Sequence, residues 1–468
     1  MNPNPDPTRA QLFLDDTGIE DARFVSRQWH PPIKFPDPVL KAEHPWERWC
    51  PVAYGTVLHW RGKFRAWYCG WTRDERPRAC YAESVDGITW EKPPLEICEF
   101  AGSRRNNIIL NPAGERRIID DLAVIDDPED ESWPLKMLYW EGEKHDPKDK
   151  SWGIWLARSK DGIHWDRSPG LVLPHWGDRF NGVSVKVDGR YVVYGRKLGS
   201  WVDHGRCVWR TESRDLRRWS GDRLVLHRDA EDPLNMEYYS ASVFPYESVT
   251  LGGLERMYLS PDWLDTELIW SHDGGRSWKR AGHRPAFLSP SNGPRHWDDT
   301  WVNLPTNPPI RHRGRLWFYY SGRSGAHGAC YPLNHGGIGL AILRIDGFAS
   351  LRAGEREGWV LTRPMNWPDA GLHVNVDPRR NTRSHPGYHH TGELRVEVRD
   401  SSNRPIPGFT WNDCHAMTRN TEDHPDGCAA VTWKTKSLRR LAGRRIRLAF
   451  RMRDAHLYSF RARERTDG

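Results

Sequence analysis

Ser84-Val85-Asp86-Gly87-Ile88-Thr89-Trp90 is the stretch from which the rest of the chain can be read. Asp-Gly favours a tight turn, because glycine takes positive φ freely and Ser and Asp side chains bond turn amides. Trp90 then opens the next strand. One such turn is weak evidence, but the chain repeats it. Ser159-Lys160-Asp161-Gly162-Ile163-His164-Trp165 is a second copy, and Ser213-Arg214-Asp215-Leu216-Arg217-Arg218-Trp219 is a degenerate third. Ser271-His272-Asp273-Gly274-Gly275-Arg276-Ser277-Trp278 is one residue longer, and Arg344-Ile345-Asp346-Gly347-Phe348 reads as a degraded fifth. Successive aspartates lie 75, 54, 58 and 73 residues apart, a spacing suited to a repeated antiparallel sheet.

The segments between the turns fall into register. An alternating strand precedes each turn, as at 80–83, 154–157, 207–210, 267–270 and 338–341. An aromatic strand precedes that one, at 64–68, 137–140, 191–194, 256–259 and 316–320, and one further strand precedes each of these. Four strands per unit and five units predict an all-β chain built on a five-bladed β-propeller over residues 36–368. Helical periodicity is nowhere sustained. Past Arg363-Pro364 the pattern changes. Alternating strands at 392–399, 429–433, 446–452 and 455–462 predict a C-terminal β-sandwich over 369–468. Residues 1–35 read as an N-terminal arm, one strand of which could complete the last blade.

Composition narrows the function classes. Among 468 residues, 69 Lys and Arg against 62 Asp and Glu give a net charge of +7, spread along the chain. The densest basic stretch, 438–453, alternates with apolar residues and reads as a strand face, so no nucleic-acid partner is expected. No apolar run approaches a membrane span, and residues 1–7 carry no signal-peptide pattern. With Met1 as the native start, the expectation is a cytoplasmic protein. The cysteines, Cys50, Cys69, Cys80, Cys98, Cys207, Cys330, Cys414 and Cys428, show no metal spacing. They read as buried thiols, with a Cys414–Cys428 disulfide as the alternative. No metal site or cofactor is expected. The 26 tryptophans exceed what four turn motifs need.

An acid stands at the start of every unit's first strand: Glu47, Asp120-Asp121, Asp178, Glu237 and Asp298. In a propeller these positions converge on the central channel. Carboxylates facing one another raise each other's pKa, and glycoside hydrolysis needs such a split pair. Trp46, Trp176 and Trp297 stand one or two residues before three of these acids, and Tyr239 follows the fourth; aromatic faces suit sugar rings. Arg196, Arg323 and His327 follow second strands and are further candidates for binding a sugar hydroxyl, a carboxylate or a phosphate.

The turn motifs, the count of five units and the C-terminal strands resemble the five-bladed propeller glycoside hydrolases, which include fructosidases and arabinanases. The stretches that carry the likeness are His44-Pro45-Trp46-Glu47, Ser84 to Pro93, Asn106-Asn107-Ile108, Val243-Phe244-Pro245-Tyr246-Glu247 and Ala455-His456-Leu457-Tyr458-Ser459-Phe460. The resemblance implies an exo-acting glycosidase taking an oligosaccharide or glycoside substrate. It leaves room for a structural cation in the channel. On this expectation Glu237 is the general acid and Asp178 or Asp121 the base or nucleophile. Glu47, Asp120, Asp298, Trp46, Trp176, Trp297, Tyr239, Arg196, Arg323 and His327 bind substrate or tune the pair. The alternatives are a non-catalytic carbohydrate-binding propeller and a glycoside phosphorylase on the same fold.

Overall fold

A computed structural model describes residues 6–72, 76–111, 117–143, 151–197, 205–292, 296–327, 335–378 and 392–464. Cys330 lies outside these. The chain is all-β, and the only helical elements among the described residues are two short 3-10 turns, Pro45–Glu47 and Leu438–Leu441. None is long and apolar enough to cross a membrane. Two compact units form: residues 32–310 with 317–342, and residues 1–31 with 311–316 and 343–468.

The larger unit is built on five consecutive groups of mainly antiparallel strands, named sheets I to V; IV and V are joined into one sheet through the parallel pair Leu264 with Trp301. Sheet I is Cys50–Trp60, Lys63–Trp71, Arg78–Ser84 and Ile108–Leu110. Sheet II is Arg117–Asp126, Leu135–Glu143, Gly153–Ser159 and Asp166–Pro174. Sheet III is Trp176–Gly182, Tyr191–Lys197, Val208–Ser213 and Arg223–Leu226. Sheet IV is Met236–Tyr246, Val249–Tyr258 and Trp263–Ser271, edged by Lys279–Arg280 and Ala286–Leu288. Sheet V is Trp301–Asn303, Arg315–Ser324 and His335–Arg344, and Ile33–Lys34 and Leu40–Lys41 supply its outer strand.

The repeated turn links neighbouring sheets. Asp161 Oδ1 accepts the N–H groups of Ile163 and His164 at 2.9 and 2.8 Å, and Ser159 Oγ accepts that of Gly162 at 2.9 Å. The Gly162 carbonyl then accepts the indole N–H of Trp67 in sheet I at 2.7 Å. The sheet I turn is held the same way by Tyr319 of sheet V, whose hydroxyl donates to Gly87 O at 2.9 Å. Tyr194 of sheet III donates to Gly275 O in the sheet IV turn at 3.1 Å. Glycine is required at Gly275: φ is +78°, and a Cβ there would lie 2.0 Å from the Tyr194 hydroxyl.

First strands are bonded in sequence. Thr56 Oγ1 donates to Leu122 O at 3.0 Å, the Asp126 N–H to Ser184 O at 3.3 Å, and Asn181 Nδ2 to Ser240 Oγ at 3.1 Å. Ser242 Oγ donates to Leu304 O at 2.8 Å, and the Thr306 N–H returns to Gly55 O at 2.9 Å. These bonds run from sheet I through V and back to I.

The smaller unit has two sheets over one hydrophobic core. Gln11–Leu12, Ser26–Trp29, Ala349–Ala353, Ala455–Arg463, Gly371–Asp377 and Ala429–Ala430 form one sheet; Ile19–Arg23, Gly358–Thr362, Arg445–Arg453, Met365–Asn366 and Glu393–Asp400 form the other. Leu351, Val360, Val374, Val396, Phe450 and Leu457, from both sheets, share the core. The sequence-based limits put residues 349–362 in the repeat region and treated 11–29 as an arm. Here both segments pair within the smaller unit, since short alternating strands look alike whichever sheet takes them. Cys414 and Cys428 are both free thiols.

Candidate functional site

In sheets I to IV the first strand slips register against the second, between Val52 and Thr56, Asp120 and Leu122, Trp176 and Phe180, and Tyr238 and Ser240. Such bulges free residues from the ladder and re-aim their side chains. Tyr54, Asp121, Arg179 and Tyr239 are among the residues freed. Asp121 and Arg179 take φ of 49° and 60°, the left-handed region that non-glycine residues enter at a cost.

Arg179 is the hub, with 1% of its surface exposed. Its Nε donates to Glu255 Oε2 at 2.9 Å, and its Nη2 donates to Glu255 Oε1. Nη1 donates to Asp121 Oδ1 at 3.2 Å, and the Arg179 backbone N–H donates to Asp121 Oδ2. The guanidinium lies 4.4 Å over the Tyr54 ring. Asp120 accepts the Asp121 N–H at 3.0 Å and faces the Cys69 thiol. Burial, then the charges of Asp120 and Asp178, push the Asp121 carboxyl well above the usual carboxylate range, against the pull of Arg179. Burial pushes Glu255 up as well, again against Arg179.

Beside this group Arg196 binds Asp178, donating Nε to its backbone carbonyl at 2.8 Å and Nη2 to Oδ1. The Arg196 guanidinium is 5.9 Å from the Tyr239 ring centre. Tyr239 Oη pairs with His327 Nε2 at 3.2 Å, and the His327 ring stacks on Trp301 at 4.9 Å. Arg323 lies 4.2 Å over the same indole. Asp121, Asp120, Asp178, Tyr239, Arg196, Arg323 and His327 are therefore gathered in one region.

The other expected residues are engaged elsewhere. Both Glu237 oxygens accept bonds from Arg206, one from the backbone N–H at 2.8 Å and one from the guanidinium, although Arg206 also lies 5.6 Å from the Tyr239 ring. Fully buried Glu47 binds Lys92 at 2.8 Å and the Tyr68 hydroxyl. Asp298 repeats that arrangement with Lys34 at 2.7 Å and Tyr320 at 3.0 Å. Trp46 donates to Asn107 at 2.7 Å and is buried in the first-sheet core. Trp176 is 2% exposed within the core between sheets II and III. Half-buried Trp297 donates to Pro36 O at 3.1 Å and stacks on Tyr320.

Sequence reasoning missed Tyr54, Arg179, Glu255 and Trp301. Glu255 carried a signal, being the one acid in a segment, 249–258, that is mostly apolar apart from Thr250 and Arg256. Arg179 stood beside Asp178 without one, because bulges leave no mark on composition. Among the described residues no group of three or more His, Cys, Asp or Glu converges as a metal site.

No protein-family model matches the sequence. No curated protein matches it either. Among solved structures, the chain is similar to a β-1,2-mannobiose phosphorylase from Listeria innocua, at 12% identity, 67% of this chain, 96% of that one and a TM-score of 0.47. It is also similar to an N-acetylgalactosamine deacetylase from F. plautii, at 15% identity, 72% and 94% coverage and a TM-score of 0.42. A third is a glycosyl hydrolase from Bacteroides ovatus, at 13% identity, 72% and 97% coverage and a TM-score of 0.42.

Proposed function

We propose that the chain hydrolyses a glycosidic bond at the end of a sugar chain, with Asp121 as proton donor and Asp178 as the base or nucleophile. The observation that carries this is the contrast between the two carboxyls. Asp121 is driven toward its protonated form by burial and by Asp120 and Asp178, whereas Asp178 accepts a bond from the Arg196 guanidinium. Environments that push two carboxyls apart define acid and base. Glu237, the choice from sequence, accepts bonds on both oxygens from Arg206, as Asp121 does from Arg179; the raised carboxyl of Asp121 beside Asp178 is what favours it for the acid role. Tyr54 and Tyr239 supply aromatic surface beside the pair.

In the same proposal, sheets I to V are the blades of a five-bladed propeller, the site occupies its centre, and the smaller unit is a β-sandwich. The first-strand bonds that return from Thr306 to Gly55 support the first part, and the common core of two sheets supports the last.

The test is turnover of oligosaccharides and aryl glycosides, furanosides included, by wild type, Asp121→Asn and Asp178→Asn. Each substitution is expected to lower kcat by about 10²–10⁴-fold with the circular-dichroism spectrum unchanged. Full activity in Asp121→Asn contradicts the assignment.

A further inference from the structure

Arg323 differs from the other arginines of the region. Arg179 has Asp121 and Glu255, Arg196 has Asp178, Arg206 has Glu237, and Arg256 has Asp265. Among the described residues no carboxylate pairs with Arg323. Its Nε and Nη2 are shielded from bulk water and make no hydrogen bond. A buried guanidinium edge without acceptors is costly, and native structures rarely leave one so.

That edge has a defined chemistry. Nε–H and Nη2–H point the same way and match two oxygens of one carboxylate. This chain uses the same edge repeatedly, Arg280 on Glu267 at 3.0 and 2.6 Å and Arg447 on Glu20 at 2.7 and 3.2 Å among others. Arg179 presents Nε and Nη2 to the two oxygens of Glu255, and Arg256 presents them to the two oxygens of Asp265 at 2.7 and 2.6 Å. Arg323 carries the fork without the anion. It is also placed beside the proposed catalytic group. It lies over Trp301, on which His327 stacks, and His327 bonds Tyr239.

We propose that Arg323 binds the carboxylate of an acidic sugar, so that the substrate is a uronic acid glycoside. The inference rests on the glycoside-cleaving role given above to Asp121 and Asp178, and it names their substrate class. Local charge favours a singly charged carboxylate over a phosphate dianion. With Asp121 protonated, Asp120, Asp178 and Glu255 match Arg179, Arg196 and Arg323 one for one, so a ligand with one negative charge disturbs the balance less than one with two. Trp301 beneath the guanidinium fixes its plane, and fixing the plane favours a planar two-oxygen ligand.

The experiment is calorimetric titration of the full chain carrying Asp121→Asn, which removes turnover from the measurement. Galacturonate and glucuronate are compared with galactose, glucose and inorganic phosphate, and each is repeated with Arg323→Lys and Arg323→Gln added. A uronate is expected to bind at least about thirtyfold more tightly than its neutral hexose. Both Arg323 variants, melting as the parent does, are expected to lose that preference and leave hexose binding unchanged. Lysine keeps the charge but not the fork, so its failure identifies bidentate recognition. Equal binding of uronate and hexose, absence of binding by any uronate, an unchanged preference in Arg323→Lys, or phosphate bound in place of uronate each overturns the proposal. Binding does not depend on chemistry, so a failed catalytic assignment at Asp121 leaves this result readable. If the uronate preference is absent while Asp121→Asn still abolishes turnover, only the substrate class falls.

Discussion

Arg179 holds Glu255 and the Asp121 carboxyl in the buried interior of the larger unit, and its loss would leave Glu255 without its counter-charge. Removing one member of a buried ion group leaves uncompensated charge, which costs more than the group contributes net. Arg179→Leu is therefore expected to lower stability by about 3–5 kcal/mol, measured as a shift in urea midpoint. Glu255→Gln keeps the shape and removes one charge, and its effect is expected to be smaller. Asp121 titrates in the opposite sense to most paired acids. Because its carboxyl is raised in the folded chain, its protonated form persists above the ordinary carboxylate range. Activity that needs this proton is present at low pH and declines as pH rises through the raised value.

At the scale of elements, the repeated turn joins local chemistry to assembly. Of its aspartates, Asp86 and Asp215 are held low by turn amides and neighbouring hydroxyls, as is Asp273 against burial; at Asp161, again against burial, the His164 ring and the His164 and Ile163 amides bring the carboxyl to about 2. Its glycines admit an aromatic side chain of the adjacent sheet. Gly275→Ala puts a methyl group against the Tyr194 hydroxyl at positive φ, and a loss of about 1–3 kcal/mol in thermal or urea unfolding is expected. A second element-level device lies in the smaller unit, where Ser350 Oγ bridges His30 Nε2 at 2.8 Å and His456 Nδ1 at 2.9 Å. Burial, with His456 and Arg344 nearby, lowers His30 to about 4 from an ordinary 6.5. Burial and Arg352 lower His456 too, against Asp377. A depressed histidine stabilises the fold above its unfolded pKa and loses that contribution as pH falls through the folded one. Unfolding free energy is expected to fall between pH 6.5 and 4, by up to about 3 kcal/mol for His30, read as a lowered melting temperature, and His30→Gln is expected to flatten that window.

For the whole molecule, the sheets were legible because their turns are written in local chemistry: Ser84, Asp86 and Gly87 specify a conformation wherever they occur. Strand positions in the C-terminal part were legible for the same reason, since alternation survives in short segments such as 446–452. Which sheet a strand joins was not, because Ala349–Ala353 pairs with residues about a hundred positions away. The site was half legible. Asp121, Asp178, Tyr239, Arg196, Arg323 and His327 are where polar residues at strand starts and ends pointed. Glu47 and Asp298 share that sequence position, yet each is bound by a lysine and a tyrosine, a difference that only tertiary pairing creates. Tyr54 and Arg179 reach the site through bulges, which the sequence period does not encode. The measurement that tests the central claim most directly is the pH profile of kcat/KM for oligosaccharide cleavage by wild type and Asp121→Asn. The account predicts cleavage whose rate falls as pH rises through a carboxyl raised above the ordinary range, and loss of that limb together with activity in Asp121→Asn. Cleavage with the same rate and the same limb in Asp121→Asn, or no cleavage of any glycoside by the wild type, would contradict it.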